Sequence, residues 1–318
     1  MKNNPYIGPW PFEREDRANF YGRKSEARVL GALIRSEREV LFYATSGAGK
    51  TSLLNAAVIP ELEEDGFAVL PVARLGSQVP PGIDPGTVDN VFVYSMLLSL
   101  VGEDADAPAL RSCRLRTFLQ ERISGLDSPD DRPVLLIVDQ LEELFTTHHE
   151  RWQDATGFFQ QMREALDTLP DLGVLLVVRE DHLAGVDPYA PLLPRRLQAR
   201  FRMERLGVEG ALAAVSGPAD NAGCPFEPDA AKRLVDDLRR IKVQLPGDDG
   251  DTAVLGPYVE PVQLQVVCRQ LWESLPEGKD GPIHWGEVEQ YGGVDRALIG
   301  FYHSSLDHVM AHVEPLPA

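Results

Sequence analysis

Cysteine is scarce in this chain: three residues, Cys113, Cys224 and Cys268, in 318. That number and scatter exclude a disulfide framework and a cysteine-based zinc site, and each thiol is expected to be free and buried. Long apolar runs are missing as well. Nothing approaches the ~18 residues needed to span a bilayer, and the opening Met1–Trp10 lacks the apolar core of a signal peptide. The expectation is a cytoplasmic protein with no membrane contact. Basic residues are in deficit, 31 Lys and Arg against 49 Asp and Glu, for a net charge of −18. This balance argues against a surface that coats nucleic acid, while leaving room for a local basic patch. His148 and His149 follow two threonines in an expected surface turn and have no ligand partner at metal spacing. No repeat of solenoid period is visible. What remains is ordinary globular composition, 43% hydrophobic and 25% charged, in a chain long enough for two domains.

Apolar runs of strand length recur at Val40–Tyr43, Phe67–Val72, Val134–Val138, Val174–Val178 and Phe201–Leu206. Three are nearly continuous rather than alternating, the pattern of strands covered on both faces. Helical spacing fills the intervals over Thr51–Leu62, Val91–Leu100, Leu115–Ile123 and Trp152–Leu169. This alternation predicts an α/β fold, a parallel five-stranded sheet sandwiched by helices. Gly76–Thr87, rich in Pro and Gly, is expected to be a surface loop. Beyond Gly207 the strand signal stops. Val208–Val215, Pro228–Ile241, Pro261–Leu275 and Gly293–Val313 have helical spacing, and Leu245–Gly256 reads as a polar loop. The expectation for this half is a small all-helical domain.

Chemistry enters at Ala44-Thr45-Ser46-Gly47-Ala48-Gly49-Lys50-Thr51-Ser52, which follows the strand at residue 40 and opens a helix. Strand, glycine-rich loop, Lys-Thr and helix form a phosphate loop. Backbone N–H groups cradle phosphate oxygens at a helix N-terminus, Lys50 reaches the β- and γ-phosphates, and the Thr51 hydroxyl ligates Mg²⁺. Ala44 stands where a glycine is usual, which is tolerable if the backbone there keeps a negative φ. A second element is the apolar strand ending in Asp139, which sets a carboxylate at the edge where such sheets bind ligands; Asp139 is the second candidate for Mg²⁺. Glu142 and Glu143 follow within a turn. Either can orient an attacking water, with Glu142 preferred; an acidic cap on the next helix is the plainer reading. Arg179, leaving the strand at Val174–Val178, can report the γ-phosphate or simply pair with Glu180 or Asp181. Arg195, Arg196 and Arg200 lie in an expected basic helical stretch before the last strand. They serve either as a solvated face, the preferred reading, or as a donor to a neighbouring copy's site.

With these residues in place, the chain resembles the STAND branch of the AAA+-like P-loop NTPases, the bacterial novel STAND NTPases in particular. The likeness covers nearly the whole chain. Tyr6-Ile7-Gly8-Pro9-Trp10-Pro11-Phe12 is similar to the family's opening segment, and Phe20-Tyr21-Gly22-Arg23-Lys24-Ser25-Glu26 to its Gly-Arg-Glu-x-Glu motif, with Lys24 in place of the usual Glu. Asp139-Gln140-Leu141-Glu142-Glu143-Leu144-Phe145 is the most specific string, and Arg179–Leu183 resembles the sensor segment. The resemblance implies ATP or ADP with Mg²⁺, an adenine pocket touched by Tyr21, Gly22 and Arg23, and Pro261 packed on the base. Without it, Pro261 is simply the first residue of a helix. It divides the chain into an N-terminal segment lining the base (1–22), an NTPase core (23–207) and a helical lid (208–318). Full-length relatives continue into a winged helix, so the chain reads as a fragment or as a minimal member.

The function implied is a nucleotide-dependent conformational and oligomerisation switch with slow ATPase activity, in signalling or antiviral defence. It would act through self-association or a separate sensor or effector protein. A nucleotide held between sheet edge and lid biases their angle by its differential contacts. Two alternatives stand beside it. One is an AAA+-type motor or loader acting on a macromolecule, against which the acidic charge counts. The other is an ATP-binding scaffold that does not hydrolyse, which Gln140 keeps open because many relatives in the wider superfamily carry a second acidic residue there.

Overall fold

The structure is a computed structural model that describes residues 4–102, 105–126, 132–244, 251–276, 279, 281–291, 294 and 298–303. In chain order the first half runs α1 (Lys24–Ser36), β1 (Glu39–Ala44), α2 (Lys50–Leu53), α3 (Ile59–Glu64), β2 (Ala68–Val69), α4 (Val91–Val101), α5 (Ala107–Leu110), α6 (Leu115–Ser124) and β3 (Val134–Val138). It continues through α7 (Glu143–Thr146), α8 (Asp154–Thr168), β4 (Leu172–Arg179), α9 (Leu183–Val186), β5 (Ala199–Met203) and β6 (Leu206–Gly207). The remainder comprises α10 (Val208–Asn221), α11 (Pro228–Leu238), β7 (Arg240–Gln244), β8 (Asp251–Leu255), β9 (Tyr258–Val259), α12 (Pro261–Ser274) and α13 (Trp285–Tyr291). The chain divides into two compact units: Ser25–Ser46 with Ala57–Met203, and Met1–Lys24 with Gly47–Ala56 and Glu204–Ala318.

The first unit is built on a five-stranded sheet of order β2-β3-β4-β1-β5, with every neighbouring pair parallel. Its three central strands, β3, β4 and β1, are apolar along most of their length because helices cover both faces, whereas the edge strand β5 carries Arg200 and Arg202 and is partly exposed. Leu41, Leu136, Val138, Val174, Leu176 and Val178 face a core that includes side chains of α4, α6 and α8. The alternate residues Val40, Phe42, Leu135, Ile137, Leu175 and Val177 are equally buried. In α8 the buried positions Ala155, Phe158, Phe159, Met162, Ala165 and Leu166 recur at the helical period, and each large side chain contributes about 1.5–3 kcal/mol by leaving water. Polar residues close the helix ends. Asn90 Oδ1 accepts the Val93 N–H at 3.0 Å, and buried Gln161 Oε1 accepts the Leu115 N–H at the start of α6. The predicted strand Phe67–Val72 narrows to Ala68–Val69 plus a single bridge from Ala73 to Val138. Phe201–Leu206 divides, because Leu206 leaves the sheet for β6.

Between α2 and α3 the helix widens into a π turn over Leu54–Val58. Pro60 accounts for it: proline lacks the amide that would close onto Ala56, and its ring excludes that carbonyl.

The second unit has its own core, formed by Tyr6, α10, α11, α12 and α13. It is mainly helical, as read from the sequence, but two antiparallel ribbons were not anticipated: β6 pairs with β9, and β7 with β8. The segment expected as a loop, Leu245–Gly256, therefore contains β8, while 245–250 lie outside the described residues, as does most of the predicted helix Gly293–Val313. Pro218 interrupts the ladder of α10. Beside it the buried Tyr6 hydroxyl donates to the Val215 carbonyl, and burial pushes that phenol's ionisation well above its ordinary value. Cys224 and Cys268 are buried free thiols, whereas Cys113 is only half-buried. Among the described residues no helix is long and apolar enough to cross a membrane, and no cluster of His, Cys, Asp or Glu is arranged to hold a metal.

Candidate functional site

β1 carries the chain to the edge of the sheet and straight into the glycine-rich loop. Ala44 is its last residue, paired with Arg179 on one side and Met203 on the other. Its backbone is therefore extended, and a β-carbon is harmless there. Gly47 and Gly49 differ, at φ 73° and 94°, a region that side chains disfavour. A β-carbon built on either meets nothing within 4 Å, so the dihedral rather than crowding demands glycine. Gly49 caps α2, which opens with Lys50 and Thr51. Ser52 Oγ accepts the Phe12 N–H at 3.1 Å, and Asn55 Nδ2 donates to Glu13 at 2.8 Å, tying the N-terminal segment to the helix after the loop.

Asp139 follows β3 at the edge where β1 ends, since Val138 pairs with Leu176 and Ala44 with Arg179. It is 1% exposed, and its Oδ1 accepts the Gln140 N–H at 2.9 Å. Gln140 is held at φ 57°, an uncommon conformation for a side-chain-bearing residue. The two glutamates have different partners. Glu142 Oε2 accepts the Arg179 N–H at 3.1 Å. Glu143 Oε2 accepts the Leu75 N–H at 2.8 Å, and its carboxylate lies close to the Gly76 amide. Burial raises the Glu143 carboxyl above its ordinary value, opposed by these two amides and by Arg74. The Arg179 guanidinium grips Asp181 with Nε at 3.1 Å and Nη2 at 2.7 Å, and Arg202 takes Glu180 at 2.8 Å. The plainer sequence reading of Arg179, a local pair with an acidic neighbour, is thus what this conformation contains. That pairing holds the Asp181 carboxyl below the usual range.

The expected basic helix at 193–200 is instead a turn over 193–198 that runs into β5 at Ala199. Arg196 and Leu197 stand at φ 56° and 48°, and the buried Glu39 carboxylate braces them by accepting the Arg195 N–H at 2.8 Å and the Leu197 N–H at 3.5 Å. Arg200 pairs with Asp187 at 2.8 Å.

In the second unit, Tyr21, Gly22 and Arg23 lie along α10. A β-carbon at Gly217 would come within 2.5 Å of the Tyr21 ring, and one at Gly22 within 2.2 Å of the Gly210 carbonyl oxygen. Asn221 Nδ2 donates to the Ala18 carbonyl at 2.8 Å. Arg23 is 6% exposed and donates to the carbonyls of Ala48 and Glu204. Pro261 is the first residue of α12, as its missing N–H allows. Sequence reasoning missed the Leu75–Gly76 hold on Glu143, the Phe12 and Glu13 contacts, and the carbonyl partners of Arg23. Gly76 offered one signal, since a β-carbon there would meet the Glu143 carboxylate at 2.7 Å.

A family model described as novel STAND NTPase 1 matches residues 5–300. The chain belongs to that family. Two solved structures share the fold of this STAND NTPase. The Walker-type ATPase PABY2304 of Pyrococcus abyssi is 16% identical, with a TM-score of 0.57, over 95% of this chain and 78% of that one. The ORC2 protein of Aeropyrum pernix, solved in ADPNP-ADP complexes, is 14% identical, with a TM-score of 0.54, over 87% of this chain and 68% of that one. At such identities the likeness is one of fold alone. No match was found among curated proteins.

The residues present suit the ligands that a P-loop NTPase implies. Two left-handed glycines shape the loop, and their α-carbons face open space. A Lys-Thr pair follows them, and a buried carboxylate ends β3. Hard oxygen donors of the Thr51 and Asp139 kind match Mg²⁺.

Proposed function

We propose that this STAND NTPase binds ATP and ADP through Thr45–Ser52 and works as a slow, nucleotide-dependent conformational and oligomerisation switch in signalling or defence. Lys50 serves the β- and γ-phosphates, Thr51 and Asp139 hold Mg²⁺, and Tyr21, Gly22 and Pro261 serve the base. Bound Mg²⁺ supplies charge neutralisation on the phosphates. The single observation that carries the nucleotide reading is the loop itself, with left-handed Gly47 and Gly49 between a buried strand and the Lys50–Thr51 helix start.

The pairing of the acidic residues and Arg179 supports a switch over a motor. Glu143 is bound by the Leu75 amide, Glu142 by the Arg179 amide, and the Arg179 side chain by Asp181. Hydrolysis asks one glutamate to turn to a water and Arg179 to turn to a phosphate, so each must first leave a partner. That rearrangement suits slow turnover and a resting form that holds its nucleotide.

Nucleotide extracted from freshly purified protein and separated by ion exchange tests the reading, with bound ADP expected. Lys50→Ala is expected to abolish copurification and to weaken ATP binding at least about 10-fold, through loss of a charged hydrogen bond. Unchanged affinity in a folded Lys50→Ala variant sinks the site assignment.

A further inference from the structure

We propose that Arg23 is a positioning residue for the phosphate loop: its buried guanidinium holds the Ala48 carbonyl and so sets the direction of the Gly49 N–H. The proposal rests on the reading of that loop as the nucleotide site.

Arg23 Nη2 donates to Ala48 O at 3.1 Å and Nη1 to Glu204 O at 3.0 Å. The described chain contains no cis peptide, and a planar trans peptide points its C=O and N–H to opposite sides. With the Ala48 oxygen drawn to Arg23, the Gly49 N–H is turned away from the guanidinium, as a phosphate cradle requires. A flip of that peptide changes only ψ of residue 48 and φ of residue 49, and glycine takes either sign of φ readily. The Arg23 bond restrains that peptide from outside the loop.

Arginine suits the task because its rigid planar fork presents separate donors to two carbonyls, which a single ammonium cannot span in the same geometry. Arg23 is itself placed by α10. Gly22 sits against the Gly210 carbonyl, Tyr21 lies over Gly217, and Asn221 holds Ala18. The motif that the family resemblance gives to the base through the Tyr21 and Gly22 backbones thus has a second task, performed by the next side chain.

The test is binding of ATP and of inorganic tripolyphosphate, which has no base, to the full chain carrying Arg23→Ala, Arg23→Lys or Lys50→Ala. Titration calorimetry gives the affinities, and near-UV circular dichroism checks the fold. Arg23→Ala is expected to weaken both ligands by the same factor, about 10- to 100-fold, the worth of charged hydrogen bonds. Millimolar guanidinium should restore part of the loss, and Arg23→Lys should recover little. Loss of ATP binding with tripolyphosphate unaffected would make Arg23 a base contact and overturn the proposal. Failure of tripolyphosphate to bind the wild-type chain overturns it too, because a pre-set cradle holds phosphate without a base. If Arg23→Ala does not fold, Arg23→Lys decides, and wild-type affinity for tripolyphosphate in that variant is the overturning result. Wild-type binding by Lys50→Ala would instead refute the loop reading itself, a separate failure.

Discussion

Gly22→Ala is expected to destabilise the helical unit well beyond the ordinary consequence of adding a methyl at positive φ. Gly22 stands at φ 86°, and an L-residue in the left-handed region costs about 1–2 kcal/mol. The new β-carbon would also stand 2.2 Å from the Gly210 carbonyl oxygen, a backbone atom that yields only if α10 moves. Overpacking of that kind adds about 1–3 kcal/mol. Gly223 separates the two terms, because it lies in the same unit at φ 74° with nothing within 4 Å of its β-position. Gly223→Ala carries the backbone term alone. Urea unfolding followed by tryptophan fluorescence reads the difference. Trp10, Trp272 and Trp285 belong to this unit, and exposed Trp152 belongs to the other and can be replaced by Phe. With a slope near ~2 kcal/mol per molar urea, the Gly22→Ala midpoint should fall roughly 0.5–1.5 M below that of Gly223→Ala. Equal midpoints would refute the close seating of Gly22 on α10, and with it the support that α10 gives to Arg23.

Phe159→Ala should lower the stability of the sheet unit by about 3–5 kcal/mol in denaturant unfolding, because the ring is fully buried, stacked on Tyr189 at 5.0 Å and edge-on to Phe158 at 5.3 Å; a loss near that of a surface substitution would contradict the packing. Glu39→Gln should change how stability depends on pH. Burial raises the Glu39 carboxyl above its ordinary 4.5 against the Arg195 and Leu197 amides and the charges of Arg38 and Arg195. A raised carboxyl keeps its proton longer in the folded state, so its contribution is full below the ordinary value and is lost as pH rises through the raised one. The Tm of Glu39→Gln relative to wild type should therefore climb as pH rises from the ordinary carboxylate value through the raised one, and a constant difference would contradict the assignment.

The sheet was legible because burial on both faces leaves a continuous apolar run, and β3, Val134–Val138, is buried at every position. The same signal fails where pairing is short. Ala68–Val69 forms two ladder pairs, and of the apolar stretch around it Leu70 belongs to the core without being strand while Pro71 is exposed. The β7–β8 ribbon was unreadable for a related reason. Ile241, Val254 and Leu255 are exposed, so among the described side chains of the ribbon no apolar residue shows the buried face that marks a strand by alternation. The stretch at 193–200 misled in another way. Its charges fall at helical spacing, yet its conformation is dictated by the Glu39 carboxylate from a distant strand.

The site divides along a similar line. Residues whose candidacy depends on their own side chain and their immediate neighbours could be placed from the sequence: Gly47 and Gly49 by their dihedrals, Lys50 and Thr51 at a helix start, Asp139 at a strand end. Residues whose partner is a main-chain group could not, because a carbonyl or an amide has no identity in the sequence. Arg23 meets oxygens 25 and 181 residues away, and Glu143 meets an amide 68 residues away; no spacing rule links such pairs. The choice between Glu142 and Glu143 shows the consequence. Both are acidic, adjacent and one turn past Asp139, and only their amide partners differ. Glu143 is held by the Leu75 amide and lies tight against Gly76, so its release requires that loop to move. Glu142 has the single Arg179 amide, at the end of the strand that carries the γ-phosphate candidate. A carboxylate tied only to that strand end, beside the candidate for γ-phosphate contact, is the better placed of the two for the proposed turn toward a water. The preference for Glu142 therefore rests on the cost of rearrangement, which the sequence alone could not weigh.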